Sequence, residues 1–167
     1  MKKEWMLGWA NIGSEGGHAA GRRLLLQLYR KYFSNQPPPI AVTERGKPFF
    51  VDSPVHFSIS HTRRQVFCVL SLRPVGLDAE AQDRPIRPEL AEKILSPGEK
   101  RQYDAAGDKR AALLKFWVLK EAAAKCAGTG LQGYPNQTDF SLDDPRLTLL
   151  DGCYVAVIEE QGESYAV

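Results

Sequence analysis

Apolar side chains recur along the chain with the periods of strands and helices. An apolar stretch at residues 5–12 predicts a buried strand, and apolar positions four residues apart predict an amphipathic helix at residues 19–33. Residues 55–60 (VHFSIS) alternate between apolar and polar side chains, as in a strand with one buried face. Further strands are expected at residues 40–43, 65–72 and 75–80. A turn at residues 61–64 then completes a hairpin. The first half is therefore predicted to contain a strand, a helix and several further strands, in that order.

The second half repeats this order with more helix. A segment rich in Ala, Leu and Lys, without Pro or Gly, predicts a long helix at residues 109–127, which Gly128 ends. Two shorter helices precede it, at residues 88–95 and 96–106. Short strands are expected at residues 140–142, 147–150 and 153–158, with a loop at 128–136 and an edge strand at 161–167. The order of strand, helix and strands therefore appears in each half, although no sequence repeat accompanies it.

Bulk composition is typical of an ordinary globular protein. The chain has 167 residues, 43% hydrophobic and 25% charged, which suits one domain or two small, closely packed halves. A net charge of +2 argues against nucleic-acid binding by bulk electrostatics. No apolar run is long enough for a membrane span, and the start, MKKEWMLGWA, is not a convincing signal peptide. Cys68, Cys126 and Cys153 stand in apolar contexts without a CxxC motif, which favours buried thiols in a reducing cytoplasm.

Segment 116–125 (FWVLKEAAAK) brings candidate chemistry onto one helix face. Trp117, Glu121 and Lys125 recur every four residues, so an aromatic ring, a carboxylate and an amine line up. For this helix alone, a surface Glu–Lys ion pair is the simpler interpretation. Upstream, VGLDAE puts Asp78 and Glu80 on one face of a strand. Two strand acids and a helix acid suit a divalent metal, although a solvated strand end also tolerates such a pair.

Two basic turns offer a different chemistry. Arg45 and Lys47 flank Gly46 in the turn RGKP (residues 45–48), where positive charge lies beside backbone groups that could hold a phosphate. The hairpin tip adds Ser60 and His61, which together with nearby arginines could form an anion site. For each turn, simple solvation is the alternative interpretation.

Glu99 has a structural explanation of its own. In SPGEK, Ser96 stands at the N-cap of a helix, Pro97 at the first helical position and Glu99 at the third, which is the pattern of a capping box. The capping box accounts for Glu99 without a catalytic role, so any such role needs a separate argument.

In combination, these motifs resemble the 4'-phosphopantetheinyl transferase superfamily. Its signature is a strand ending in G-x-D-x-E, followed by W-x-x-K-E-x-x-x-K on a helix, and both occur here, at residues 76–80 and 117–125. The RGKP turn and FSISHT at residues 57–62 are similar to the larger, surfactin-synthetase-activating type. Four motifs in the family's order are far more specific than any one of them.

The resemblance implies a fold and a reaction. The fold would be α+β, with two similar subdomains related by a pseudo-twofold axis and the active site between them. We expect residues 1–74 to contact the nucleotide of coenzyme A and residues 75–167 to hold the metal, in one compact monomer. The chain is somewhat short for this type, so trimmed loops or a trimmed C-terminal tail are expected. The implied reaction moves phosphopantetheine from coenzyme A to a serine of an apo acyl or peptidyl carrier protein and releases adenosine 3',5'-bisphosphate.

The resemblance also implies roles for single residues. Binding of Mg²⁺, or alternatively Mn²⁺, is implied for Asp78, Glu80 and Glu121. Lys125 would stabilise or protonate the leaving group, and Lys120 would approach the same phosphates. Glu99 matches a glutamate proposed to accept the serine proton, a role that competes with the capping box. The family's coenzyme A contacts correspond here to Arg45, Lys47, Pro48, Ser60, His61, Lys120 and Lys125.

One expected residue is missing, and other function classes stay open. The family often has an arginine in the first helix that contacts the 3'-phosphate, whereas this chain has GGHAAGRR, where His18, Arg22 or Arg23 would have to substitute. The alternatives are an inactive module that binds coenzyme A or a carrier protein, and a metal-dependent phosphohydrolase with a convergent acid triad. An inactive relative would be expected to lose an acid or the helix lysine, and all four are present, which favours the active transferase.

Overall fold

The computed structural model describes residues 4–130 and 138–161, and it contains both helices and antiparallel strands there. In chain order the elements are β1 (Trp5–Asn11), α1 (Gly17–Tyr32), β2 (Ile40–Val42), β3 (Pro48–Phe50), β4 (His56–His61), β5 (Gln65–Ser71), β6 (Val75–Ala81), α2 (Leu90–Ile94), α3 (Pro97–Ala105), α4 (Lys109–Ala127), β7 (Leu147–Leu150) and β8 (Cys153–Glu159). This mixture confirms the expected α+β class.

Two three-stranded sheets share one connection pattern. The first has the strand order β1-β5-β4 and the second β6-β8-β7. In each, the first strand leads to a main helix, the next strand lies at the opposite edge, and the last strand runs in the centre. This matches the pseudo-twofold arrangement implied by the resemblance. The separate chemical tasks expected of residues 1–74 and 75–167 stay a prediction.

The central strands bury side chains in two directions, which sets the order of layers. In β5, Cys68 belongs to the apolar cluster under α1, whereas Phe67 belongs to a cluster between the two sheets. In β8, Ala156 lies in the cluster under α4, and Val155 lies in the cluster between the sheets. The layers therefore run α1, first sheet, second sheet, α4.

Serine hydroxyls join the two sheets where β4 meets β6. The Leu77 N–H donates to Ser58 Oγ (3.0 Å), and the Ala79 N–H donates to Ser60 Oγ (3.1 Å). Both serines are buried. Because β6 pairs with only β8 inside its own sheet, these side chains satisfy amides at an otherwise open edge.

Some predicted elements differ from the structure. Residues 140–142 are not a strand, because the Phe140 N–H donates to Glu99 Oε2 (2.9 Å) and the Leu142 N–H donates to Gln102 Oε1 (3.0 Å). Side chains of α3 thus take the amides that a strand ladder would need. Strand β1 is less buried than predicted, since it lies at a sheet edge. Most of the edge strand predicted at 161–167 and most of the loop at 128–136 lie outside the described residues.

Two smaller expectations concern thiols and membranes. Cys68, Cys126 and Cys153 are free thiols, and Cys68 and Cys153 are buried. Burial raises the pKa of the Cys126 and Cys153 thiols, which keeps them protonated. Within the described ranges, no helix has the length and apolarity needed to traverse a bilayer.

Candidate functional site

Helix α4 lies directly against strand β6, and Gly76 makes this approach possible. A Cβ atom at Gly76 would overlap the Ala122 carbonyl oxygen and the Cys126 amide nitrogen of α4. The helix starts at Asp108, whose side chain caps a backbone N–H, and it ends at Gly128 in the left-handed conformation. The alternating side chains of β6 are therefore held against one face of α4.

Asp78 projects from β6 toward α4 and is almost completely buried. Its Oδ1 accepts hydrogen bonds from Lys125 Nζ (2.9 Å) and Ser60 Oγ (3.2 Å). Its Oδ2 is buried and has no hydrogen-bond partner among the described residues. Burial raises the pKa of Asp78, and the Lys125 ammonium and the Ser60 hydroxyl oppose that rise. A buried carboxylate oxygen without a partner is the kind of atom that a bound cation would satisfy.

Glu80 and Glu121 share the electrostatic environment of Asp78, and we call these three residues the acid cluster. Glu80 forms an ion pair with Arg84, and the Trp117 side chain lies close enough to oppose the rise in its pKa. Burial raises the pKa of Glu80, and the Asp78 charge raises it further. Burial and the Asp78 charge also raise the pKa of Glu121, to about 7. The three carboxylates therefore repel one another when ionised.

The donor chemistry of the acid cluster fits a hard divalent cation. Carboxylate oxygens are preferred ligands of Mg²⁺. Within residues 4–130 and 138–161, however, no group of three acidic, histidine or cysteine side chains lies close enough to hold a metal ion. Lys125 and Arg84 instead take oxygens of Asp78 and Glu80. Metal ligation by Asp78, Glu80 and Glu121 thus stays a prediction, supported by the unpartnered Asp78 Oδ2.

A cleft of about 250 Å³ opens beside the acid cluster. Its walls come from the RGKP turn, from β4 and from the C-terminal half of α4. The predicted site residues that line it are Arg45, Lys47, Pro48, Glu121 and Lys125. The fold therefore brings the basic turn and the signature helix, which are distant in sequence, to one space between the two halves.

Lys47 connects the RGKP turn to the end of α4. Its Nζ donates to the Cys126 carbonyl oxygen (3.2 Å), one of the acceptors that a helix end leaves unused. Burial lowers the pKa of Lys47. Because Arg45 belongs to the same turn and lines the same cleft, this contact also holds a second cation at the cleft wall.

The hairpin residues Ser60 and His61 lie outside the lining of this cleft. Ser60 is buried, accepts from the Ala79 N–H and donates to Asp78, so it supports a member of the acid cluster. His61 is exposed, and its ring packs so closely on Gly17 that a Cβ atom there would overlap it. His61 therefore lies at the start of α1 in the folded protein. Nucleotide contacts by both residues stay predictions.

Glu99 and Lys120 form a buried ion pair that does not line the cleft. Lys120 Nζ lies 2.7 Å from Glu99 Oε1 and donates to the Thr138 carbonyl oxygen (3.2 Å). Glu99 also accepts from the Ser96 N–H (2.8 Å) and the Phe140 N–H (2.9 Å). The predicted capping box is confirmed, and both carboxylate oxygens of Glu99 have partners. Proton transfer by Glu99 and phosphate contact by Lys120 stay predictions.

Comparison with known sequences identifies the family. A family model described as the 4'-phosphopantetheinyl transferase superfamily matches residues 74–162, which is more than half of the 167 residues. The chain belongs to this superfamily.

Three curated relatives carry the same family name. The "4'-phosphopantetheinyl transferase" of Bacillus subtilis is 31% identical, over 82% of this chain and 60% of the relative. The "4'-phosphopantetheinyl transferase gsp" of Aneurinibacillus migulanus is 36% identical, over 66% and 46% of the two chains. The "4'-phosphopantetheinyl transferase Sfp" of Bacillus subtilis (strain 168) is 38% identical, over 53% and 40%. The chain spans about half the length of the curated relatives it matches, and their likeness supports the larger type.

Arg84 is a residue beside the acid cluster that sequence reasoning missed. It stands four residues after Glu80, a spacing that predicts contact in a helix, but residue 80 was predicted in a strand. The contact arises because the chain turns directly after β6, where the Arg84 N–H donates to the Ala81 carbonyl oxygen (3.0 Å). A charged residue in a tight turn after the G-x-D-x-E strand was the available signal.

Proposed function

We propose that the chain transfers the 4'-phosphopantetheine group of coenzyme A to a serine of an apo acyl or peptidyl carrier protein, with Mg²⁺ as cofactor. The observation that carries this proposal is the cleft, where Arg45 and Lys47 share one space with Glu121 and Lys125. Cations suited to a pyrophosphate and a carboxylate suited to a metal, Glu121, thus border the same volume. Superfamily membership supports the same reaction class.

The reaction exchanges one phosphorus–oxygen bond for another. The serine oxygen of the carrier forms a bond to the phosphorus of the phosphopantetheine group, and the bond from that phosphorus to the bridging oxygen of the pyrophosphate breaks. Adenosine 3',5'-bisphosphate leaves with the electron pair of the broken bond, and the serine loses its proton. Catalysis then requires mainly positioning and stabilisation of charge on phosphate oxygens.

The acid cluster and Lys125 have separate electrostatic roles in this proposal. Asp78, Glu80 and Glu121 would hold the metal, and the unpartnered Asp78 Oδ2 supports this assignment. A metal held there would neutralise charge on the pyrophosphate oxygens. Lys125 lines the cleft and donates to Asp78 Oδ1, and this position at the cleft wall supports its role in stabilising the leaving phosphate.

The remaining residues bind the nucleotide or support the site. Arg45, Lys47 and Pro48 contact the nucleotide end of coenzyme A, with Ser60 and His61 near the 3'-phosphate. For Glu99, burial and two engaged carboxylate oxygens favour a supporting role over proton transfer, and its pairing with Lys120 favours the same for that lysine.

The expected state is a cytoplasmic monomer. Three free thiols in the described part of the chain fit a reducing compartment. Size-exclusion chromatography with light scattering measures the oligomeric state, and a stable dimer would contradict the monomer.

A transfer assay tests the proposed function. The protein is incubated with coenzyme A, MgCl₂ and a panel of apo acyl and peptidyl carrier proteins, and intact carriers are weighed by mass spectrometry. We expect one carrier class to gain the mass of phosphopantetheine. Coenzyme A binding without transfer to any carrier would indicate the inactive module. Phosphate release without a carrier would indicate a hydrolase.

Substitutions in the acid cluster test the metal assignment within the same assay. Asp78→Ala and Glu121→Ala are expected to abolish transfer while circular dichroism shows a folded protein, because each removes a ligand oxygen. Glu92→Ala, which removes an exposed acid of α2, is the matched control and should keep wild-type activity. Near-normal transfer by either cluster variant would rule out the assigned ligands.

A further inference from the structure

We propose that Arg84 is an internal counter-ion that competes with the divalent metal for the acid cluster and thereby sets the metal affinity. This inference rests on the proposed metal site and goes beyond it, because it names a residue outside the family signature that weakens binding at that site. Its basis is the placement and surroundings of the Arg84 side chain.

Arg84 reaches the acid cluster from a loop whose backbone is held in place. Its guanidinium pairs with Glu80 Oε1. The guanidinium of Arg110 in α4 donates to the carbonyl oxygens of Gln82 (2.7 Å) and Arg84 (3.2 Å). The Arg84 N–H bonds back to Ala81. The loop therefore presents the side chain to Glu80, while 44% of that side chain remains exposed to solvent.

Two cations already pair with the acid cluster. Lys125 bonds to Asp78, and Arg84 pairs with Glu80. Each contact holds a positive charge against an acid that the proposed function assigns to the metal.

Arg84 is the cation that a metal at Glu80 would meet. The guanidinium contacts Oε1, one of the two Glu80 oxygens, so a metal that uses this oxygen displaces it, and a metal that uses the other oxygen lies beside a positive charge. Lys125 is less exposed than Arg84 and lines the cleft. An exposed ion pair is weak, so a divalent ion can displace Arg84, but the displaced positive charge remains nearby and repels the metal. The affinity of the site is therefore lower than three carboxylates alone would produce.

Direct metal titration tests this without a transfer assay. The EDTA-treated chain is titrated with MnCl₂, and free Mn²⁺ is measured by electron paramagnetic resonance. Arg84→Gln is expected to bind Mn²⁺ about tenfold more tightly than wild type, because a positive charge near a divalent cation is removed. Arg84→Lys keeps the charge and should stay within about twofold of wild type. Arg87→Gln removes an exposed cation just beyond the site and is the matched control, expected unchanged.

The outcomes separate the inference from the metal site itself. If wild type binds Mn²⁺ and Arg84→Gln binds it equally or more weakly, the counter-ion role is overturned and the metal site stands. If wild type binds neither Mn²⁺ nor Mg²⁺, both are overturned. Thermal unfolding adds a second readout: Arg84→Gln should have a lower Tm than wild type in EDTA and a larger rise in Tm on addition of MnCl₂, whereas equal rises would contradict the inference.

Discussion

Glu121 shows how the fold changes the chemistry of one side chain. On an isolated helix it would be a solvated acid beside Lys125. In the protein, Lys125 bonds to Asp78 instead, and burial together with the Asp78 charge raises the pKa of Glu121 to about 7. Near neutral pH the metal-free protein therefore holds a proton on part of its Glu121 population, and that proton competes with a bound cation.

We expect Glu121→Gln to stabilise the metal-free protein at high pH. The pKa of Glu121 rises from 4.5 to about 7 on folding, so the folded state keeps a proton that the unfolded state has lost between these values. Stability therefore falls as pH rises through this window, and glutamine removes that loss. Thermal unfolding in EDTA should show a higher Tm for Glu121→Gln at about pH 8 and little difference at about pH 4. A difference that is independent of pH would contradict this explanation.

Glu99 illustrates the opposite case, a charge fully enclosed and paired. Glu99→Gln keeps the size and an acceptor oxygen but removes the buried negative charge that pairs with the Lys120 ammonium. Breaking such a pair costs about 3–5 kcal/mol of unfolding free energy, measured by urea denaturation. The double variant Glu99→Gln/Lys120→Met removes both charges of the pair and should recover part of that loss. Wild-type stability of Glu99→Gln together with lost transfer would instead assign proton transfer to Glu99.

Strand β6 and helix α4 act as a unit, and their contact explains the spacing of the signature motifs. Gly76 lets the two backbones meet, and the acids at alternate positions of β6 then face the helix. Along α4, Trp117 meets Glu80 and Lys125 meets Asp78. Side chains at every second residue of β6 and at about every fourth residue of α4 therefore meet along one line of contact.

This contact makes Gly76 the most sensitive position of the pair. Gly76→Ala would force β6 away from α4, and overpacking of this kind costs about 1–3 kcal/mol of unfolding free energy. Gly107→Ala is the control, because Gly107 has open space around its Cα and should change stability by less than about 0.5 kcal/mol. Urea denaturation compares the two variants, and equal effects would contradict a special role for Gly76.

The molecule as a whole is held together across its two sheets. The apolar cluster between them includes Phe67 of the first sheet and Val155 of the second. Ser60 adds a polar tie, because its hydroxyl accepts from the Ala79 N–H and donates to Asp78. Contacts of both kinds predict that the two halves unfold together rather than one after the other.

Ser60→Ala tests the polar tie. In the variant, the buried Ala79 N–H loses its acceptor and Asp78 loses one of its donors. Such a loss costs about 1–3 kcal/mol of unfolding free energy. Ser34→Ala removes an exposed hydroxyl that accepts from the Gln36 N–H, and this control should lose about 0.5 kcal/mol or less. In urea, tryptophan fluorescence and circular dichroism should report one shared transition for Ser60→Ala. Two separate transitions would show that the halves are independent.

Local sequence signals were sufficient to predict a segment's structure where the residues that it bonds to lie nearby in the chain. Helix α4 occupies the predicted residues 109–127, since Asp108 caps its start and Gly128 ends it. The capping box at Ser96 and Glu99 follows the same logic. Residues 140–142 failed as a predicted strand, because Glu99 and Gln102, about 40 positions upstream, take their amides. Short-range spacing contains no information on such partners.

The order and spacing of residues were enough to predict most helices and strands and to put Asp78 and Glu80 on one strand face, because strand and helix periods dictate which side chains share a face. The four motifs together then indicated the superfamily and its α+β fold through their resemblance to it, while metal binding by the acids stays a prediction. Tertiary packing alone established the partners of those side chains. It directed Lys120 to Glu99, carried His61 to α1 and set Arg84 against Glu80. The reason is physical: burial and long-range charge depend on elements that are distant along the chain and meet only in the folded protein.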